Sequence, residues 1–478
     1  MFADNLYLAF TSLSIQKGIL RFSLLLNLNS SQICPALPLN KMSNPAKGRS
    51  ISYSYEFLGS RFESKLDFTA QYFNLYRSRL NALHWRSIDT AKAQRDVPIL
   101  HQIMELKPDN VCIVSGVIVR NHKTRPSIIE KYIAKVGTLE PRPSCFGSFC
   151  SEKDEIYLED ESGRVLLDFR NSESDWNDLI TGIVVAAYGI LRENAVFETL
   201  SLYYPQVDRP LPLEKAGEEY ICFVSGLEIG SPYYDMILLH LLAQFIQGNL
   251  GTQSYDEASK IVRLVILGDS IYKPDTARTV DRKAIGDQVI RGFTEINESL
   301  KFLDTFLAEL AGTIPVDIIP GEMDPSNCSL PQQPLNPYLF PIASRYSALQ
   351  SFPNPYEFTI DKCRILCTAG QNISMYSHYA PPDKTFAELM ALNVKHRHIA
   401  ANAPDALQCI PMQDKDPFIL DNLPHLYVVG NLGSYQTGME DGVKLVAVPR
   451  FSSPGHNIVL VNRFTLESKT ISFESMID

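Results

Sequence analysis

Residues 316–327 read Val-Asp-Ile-Ile-Pro-Gly-Glu-Met-Asp-Pro-Ser-Asn. Val316 to Ile319 is a short, mostly β-branched run, and Pro320-Gly321 turns it into a loop carrying Glu322 and Asp324. A strand ending in such a loop sets its side chains at the carboxyl edge of a sheet, where open α/β sheets bind ligands. The stretch raises one question: is this an active site, or the remains of one?

Working outward, three more apolar strands end in comparable loops. Tyr220–Ser225 runs into Gly226 to Gly230, Ile261–Leu267 into Gly268-Asp269-Ser270, and Leu426–Val429 into Gly430-Asn431-Leu432-Gly433. Between them lie a predicted helix at 234–250 and a longer one whose Ile285, Val289, Phe293, Ile296, Leu300, Leu303, Leu307 and Leu310 keep helical spacing. Further strands are expected at 364–368, 443–448 and 458–461. Strand–helix alternation followed by a strand-rich end predicts a layered α/β sandwich over residues 217–478.

Towards the N-terminus the pattern is different. Val111–Val119, a hairpin over 156–169 around Ser162-Gly163, and a second at 183–200 around Glu193-Asn194 give about five strands. That spacing predicts a small OB-type barrel at 109–216. Leu66, Ala70, Phe73, Leu80 and Leu83 predict an amphipathic helix within 64–95, with Arg77, Arg79 and Arg86 between them, so 42–108 reads as a helical segment. Residues 1–41 are set aside from the fold as a disordered or misassigned extension. The whole is a multidomain α+β chain.

The totals narrow the function. The chain has 478 residues, 45% apolar and 21% charged, with a formal net charge of -10. Residues 111–210 hold 11 Lys/Arg against 15 Asp/Glu, which disfavours a barrel that grips single strands through a basic groove. Nine scattered cysteines fit a reduced protein without a disulfide framework. Cys363 and Cys367 read as strand residues rather than a metal pair. His396 and His398 read as a surface or interface pair on a strand.

The four loops follow the order of the metallophosphoesterase motifs Asp-x-His, Gly-Asp-x-x-Asp, Gly-Asn-His-Asp/Glu and Gly-His-x-His. Two metals in such a site need bridging carboxylates and several imidazoles. Here Ser225 or Gly226 replaces the first Asp and Leu227 its His. Asp269 matches, Glu322 and Met323 replace Asn and His before Asp324, and Asn431 and Gly433 replace the last two His. Leu and Met cannot stand in for imidazole on such a dication. The loops are therefore expected to be a pocket without catalysis or metal. The alternatives are a metal-dependent phosphodiesterase using Asp269, Glu322 and Asp324, or a single-stranded nucleic-acid binder.

An OB barrel ahead of an inactivated calcineurin-like phosphoesterase domain resembles the B-subunits of replicative DNA polymerases. Residues 320–334, Pro-Gly-Glu-Met-Asp-Pro-Ser-Asn-Cys-Ser-Leu-Pro-Gln-Gln-Pro, are similar to the delta type among them, as are Thr368–Asn372, His396-Arg397-His398, Ala403-Pro404-Asp405 and Asp416-Pro417-Phe418. The resemblance implies a nuclear, non-catalytic scaffold in DNA replication and repair. Its partners would be the cysteine-rich C-terminal domain of the catalytic subunit and a third accessory subunit reaching the sliding clamp. It would also be shared with translesion polymerase zeta, and DNA would be met only through the complex, with no membrane. An iron–sulfur cluster belongs to the catalytic partner, so no cofactor is expected here. Pro331, Pro334, Leu335, Tyr338 and Phe340 lie in a Pro-rich segment that either plugs a domain seam or meets a partner.

Overall fold

The computed structural model describes residues 53–63, 69–125, 147–213, 217–273, 285–412 and 414–474; for Gln253 and residues 285–294 it describes the backbone alone. The expectation for 1–41 and the start of the helix expected from 64 lie outside these residues.

The chain opens with strand β1 (Tyr55–Phe57) and helix α1 (Tyr72–Lys92). The barrel follows as β2 (Ile99–Leu100), β3 (Val111–Asn121), β4 (Glu155–Glu159), β5 (Arg164–Asp168), β6 (Val184–Leu191) and β7 (Val196–Tyr203). Its order is β2-β3-β4-β5-β7-β6, and β3 pairs antiparallel with β6 to close it. Val114, Ile118, Ile156, Leu158, Val185, Ala187 and Phe197 alternate inward and fill it.

The sandwich is built from β8 (Tyr220–Val224), α2 (Met236–Gln247), α3 (Thr252–Ser259), β9 (Ile261–Leu267), α4 (Ile285–Ala311), β10 (Val316–Ile319), β11 (Leu349–Ser351), β12 (Tyr356–Ile360), β13 (Cys363–Thr368), α5 (Gln371–Ser377), α6 (Phe386–Lys395), β14 (Leu426–Leu432), β15 (Gln436–Glu440), β16 (Val443–Pro449), β17 (Asn457–Asn462) and β18 (Ser468–Ser472). Its two sheets run β1-β12-β13-β14-β16-β15 and β11-β10-β9-β8-β17-β18. Phe223, Val265, Leu267, Phe358, Val428, Val446 and Val459 interlock between them. One charged pair is buried there: Arg263 donates to Asp317 at 2.6 Å, and the Tyr356 hydroxyl donates to the other Asp317 oxygen at 2.7 Å. The helices α2 and α4 cover one outer face, while α5 and α6 share a continuous core with the barrel. Among the described residues no helix is long and apolar enough to cross a membrane.

Three expectations need correction. The segment 42–108 is not helical throughout, because Tyr55–Phe57 pairs with β12 and Ile99–Leu100 with β3. The buried residues of α1 are Leu75, Arg79, Leu83, Ser87, Ile88 and Ala91, while Phe73 is 64% exposed. Two polar residues on the inner face disguise it in the sequence. His396 and His398 are not a surface pair on a strand: both are buried just beyond α6.

Arg79 explains the disguise. Its guanidinium donates to Asp416 Oδ2 at 2.7 Å, to the Gly182 carbonyl at 3.0 Å, and to the Ala401 and Ala403 carbonyls at 2.7 and 3.0 Å. One side chain thus joins helix, barrel and sandwich. His398 completes it: Nδ1 accepts from Ala400 N, so Nε2 carries the proton and donates to Asp416 at 2.8 Å. Burial alone would raise the Asp416 carboxyl, but His398 and Arg79 outweigh it and hold it well below the usual carboxylate range. Gly182, at φ 100°, belongs to the same contact, since a Cβ there would overlap the Ala401 carbonyl oxygen.

Removing one partner of a buried, fully bonded pair strands the other charge. Arg79→Ala is expected to cost about 3–5 kcal/mol in denaturant unfolding. Arg77→Ala, which breaks only an exposed pair with Glu161, should cost under about 1 kcal/mol. Similar costs for the two would contradict this assignment.

Candidate functional site

The strands β8, β9 and β10 run parallel in one sheet, and β13, β14 and β16 in the other. Their carboxyl ends bring the four expected loops to one crevice. Leu330-Pro331 and Asn354-Pro355, cis peptides, flank Gln332 and Asn354 beside it, and Ala403-Pro404 is a third cis peptide, at the Arg79 junction.

The surviving carboxylates are turned onto the protein's own backbone. Asp269 is 3% exposed, and its Oδ1 accepts from Met323 N at 2.9 Å. Asp324 is 5% exposed; Oδ1 accepts from Ser270 N and Ile271 N at 3.0 and 3.2 Å, and Oδ2 from Gly321 N at 2.8 Å. Each loop is therefore a latch for the other. Gly268 and Gly321 permit the approach, since a Cβ on Gly268 would lie 2.6 Å from the Gly321 Cα.

The remaining positions follow the same logic. Ser225 is buried, donating to Pro449 O at 3.0 Å and accepting from Asn431 N at 2.9 Å. Asn431 donates to Leu267 O and Ala369 O at 2.9 and 2.8 Å, tying the two sheets together. Leu227, at the imidazole position, lies in the apolar core beneath α2. Glu322 and Gly433 are exposed, and Met323 is half-buried. Among the described residues Asp269, Glu322 and Asp324 do not gather at ligand distance; the only His/Cys/Asp/Glu trio that does is His122, Cys150 and Asp154.

Two residues were missed in the sequence. Glu228 follows Leu227 and receives a hydrogen bond from Ser452 Oγ at 2.9 Å, with Arg450 Nη1 3.5 Å from its carboxylate. Arg450 follows β16, and its charge acts on Asp269. The crevice thus carries its own cation. Only the position of Arg450 two residues past the strand expected at 443–448 signalled this.

Burial pushes Asp269 above the usual carboxylate range, against the Met323 N–H and Arg450. Burial, and then the neighbouring Asp269, push Asp324 up to about 7 despite its three N–H donors. Between about pH 4, its unfolded value, and about 7, the folded chain retains a proton the unfolded chain has lost. This contribution to stability therefore falls as pH rises through that window. Asp324→Asn cannot titrate, so the stability of the native chain minus that of the variant should shrink between pH 5 and 8. A pH-independent difference would contradict the shift.

The Pro-rich segment divides. Pro331, Leu335 and Phe340 are buried and Pro334 is half-buried, whereas Tyr338 is 93% exposed. Gln332 ties the buried part down, donating to Gly321 O at 2.8 Å and accepting from Asn354 at 2.8 Å.

Comparison with known proteins gives the following. Residues 221–437 match the family of B-subunits of DNA polymerases alpha and epsilon, and residues 71–202 the OB-fold domain of DNA polymerase delta subunits. The DNA polymerase delta small subunits of Oryza sativa subsp. japonica and Arabidopsis thaliana are 32% and 33% identical, over 91% and 89% of this chain and 99% and 96% of theirs. That of Saccharomyces cerevisiae is 31% identical over 86% of this chain and 91% of its own. Among solved structures, an archaeal phosphodiesterase aligns with 53% of this chain and 99% of its own at 11% identity and a TM-score of 0.27.

Proposed function

This chain belongs to the family of DNA polymerase delta small subunits, and from that premise we propose that it is a non-catalytic nuclear scaffold within the polymerase. It joins the cysteine-rich C-terminal domain of the catalytic subunit to a further accessory subunit, meets DNA only through that complex, and serves polymerase zeta in the same way. The observation that carries the non-catalytic part is the latch between Asp269 and Asp324. Their carboxylate oxygens accept four backbone N–H groups, three of them from the facing loop. Leu227 offers no ligand atom at the imidazole position, and Arg450 supplies positive charge where a phosphoesterase keeps its dications. A phosphodiester brought to this crevice would find neither a metal-bound nucleophile nor a proton donor for the leaving group.

The Pro-rich segment supports both halves of the scaffold reading. Its buried Leu335 and Phe340 pack into the core beneath α2 and α4 while Gln332 bonds Gly321 and Asn354, leaving Tyr338 exposed to reach a partner. A lone exposed tyrosine on an anchored turn has the character of an interface anchor, large and cheap to order.

The test is co-purification of residues 42–478 with the C-terminal domain of the cognate catalytic subunit, read by light scattering. A stable 1:1 complex is expected. Tyr338→Ala should leave stability unchanged and weaken the complex by roughly tenfold or more. Two separate species from well-folded chains would overturn the scaffold role. Manganese-dependent hydrolysis of a phosphodiester, abolished by Asp269→Ala, would overturn the non-catalytic one.

A further inference from the structure

The scaffold reading leaves one group of ligating side chains unused. His122 directly follows β3, and Cys150 and Asp154 precede β4, so adjacent strand ends bring three donors together. One ligand atom from each lies within 4.8 Å of the other two. The His122 side chain is 2% exposed; Nδ1 lies 3.2 Å from Asp154 Oδ2, and neither ring nitrogen makes a well-aligned hydrogen bond. A buried imidazole without a well-aligned hydrogen bond is uncommon, because burying an under-satisfied polar group costs free energy.

Asp154 is held as a metal-binding carboxylate usually is, by hydrogen bonds from outside the site. Lys123 N donates to Oδ1 at 3.2 Å, while Ser151 N and Arg120 Nε donate to Oδ2 at 3.1 and 3.0 Å. Cys150 Sγ donates to Tyr379 O at 3.2 Å. The Tyr379 ring meets His122 at 5.1 Å, and Phe149 N donates to His378 O at 2.7 Å. The trio therefore sits where the barrel touches the end of α5 in the sandwich.

We infer that His122, Cys150 and Asp154 form a binding site for a zinc-like divalent cation that braces the barrel against the sandwich. One nitrogen, one sulfur and one oxygen donor suit zinc, and three protein ligands leave a tetrahedral position for water. On binding, the Cys150 sulfur exchanges its proton, released to solvent, for a bond to the metal, and no electron is transferred. Arg120 is the counter-ion of Asp154 without metal. With the dication, thiolate and carboxylate present, it brings the local charge to +1, so the ion competes with a cation already in place. This inference does not depend on the scaffold reading, nor on the crevice.

The experiment uses the full chain purified without chelators. Metal content is measured by mass spectrometry, and the metal-stripped protein is titrated with cobalt(II) chloride. About one zinc per chain is expected, with a near-ultraviolet thiolate-to-cobalt band saturating at equal stoichiometry. Cys150→Ser should abolish the band, and His122→Gln should weaken binding by roughly 10- to 100-fold. Cys328→Ser, at an exposed cysteine, should change neither. Should Cys150→Ser misfold, His122→Gln still decides the matter. No retained metal and no thiolate band, or a band that survives in folded Cys150→Ser or is unmoved by His122→Gln, would overturn the site.

Discussion

The guanidinium of Arg79 is the point where three parts of this chain are made one. It enters from α1, reaches the barrel at Gly182, and finishes on Ala401, Ala403 and Asp416 of the sandwich. A buried ion pair adds little net stability against an apolar substitute, because desolvating two charges costs much of what their attraction returns. Its value here is geometric. Four directed hydrogen bonds fix the barrel's orientation, where an apolar contact of the same area would allow sliding. His398 is buried with it, sharing Asp416 Oδ2 with Arg79, while Phe418 N donates to Oδ1.

The same economy shapes the crevice. A metalloenzyme keeps carboxylates poised on cations, at the cost of loops held open around charge. Here each loop closes on its neighbour, with Asp324 capping the Ser270 and Ile271 amides and Asp269 capping Met323. These carboxylates tie neighbouring loops at one sheet's edge, and Arg450 and Glu228 add an opposite-charge pair beside them. The loop carboxylates thus serve the fold of the crevice itself.

Much of this was legible in the sequence. Ile261–Leu267 and Val316–Ile319 form strands at the expected residues because long or strongly β-branched apolar runs, stopped by Gly or Pro, admit few alternatives. The four loops met at one crevice because parallel strands share their carboxyl ends. What escaped was set by tertiary partners. Tyr356–Ile360 alternates Glu and Thr with aromatic and aliphatic residues, but at five residues the pattern is too short to stand out without β1 and β13 beside it. Gln436–Glu440 is a mostly polar edge strand. Arg79, His396 and His398 read as surface residues because nothing local shows the carboxylate or hydroxyl that meets them. Arg450 and the His122 trio likewise depend on residues distant in the chain.

If the Arg79 junction welds the molecule, barrel and sandwich must unfold together. The two tryptophans, Trp85 on α1 and Trp176 in a barrel loop, report the barrel side by fluorescence, while far-ultraviolet circular dichroism reports the whole chain. The decisive measurement follows both signals through a guanidinium titration of residues 42–478. Coincident transitions in the native chain, separating in Arg79→Ala, are the predicted result. Two resolved transitions in the native chain would contradict the account.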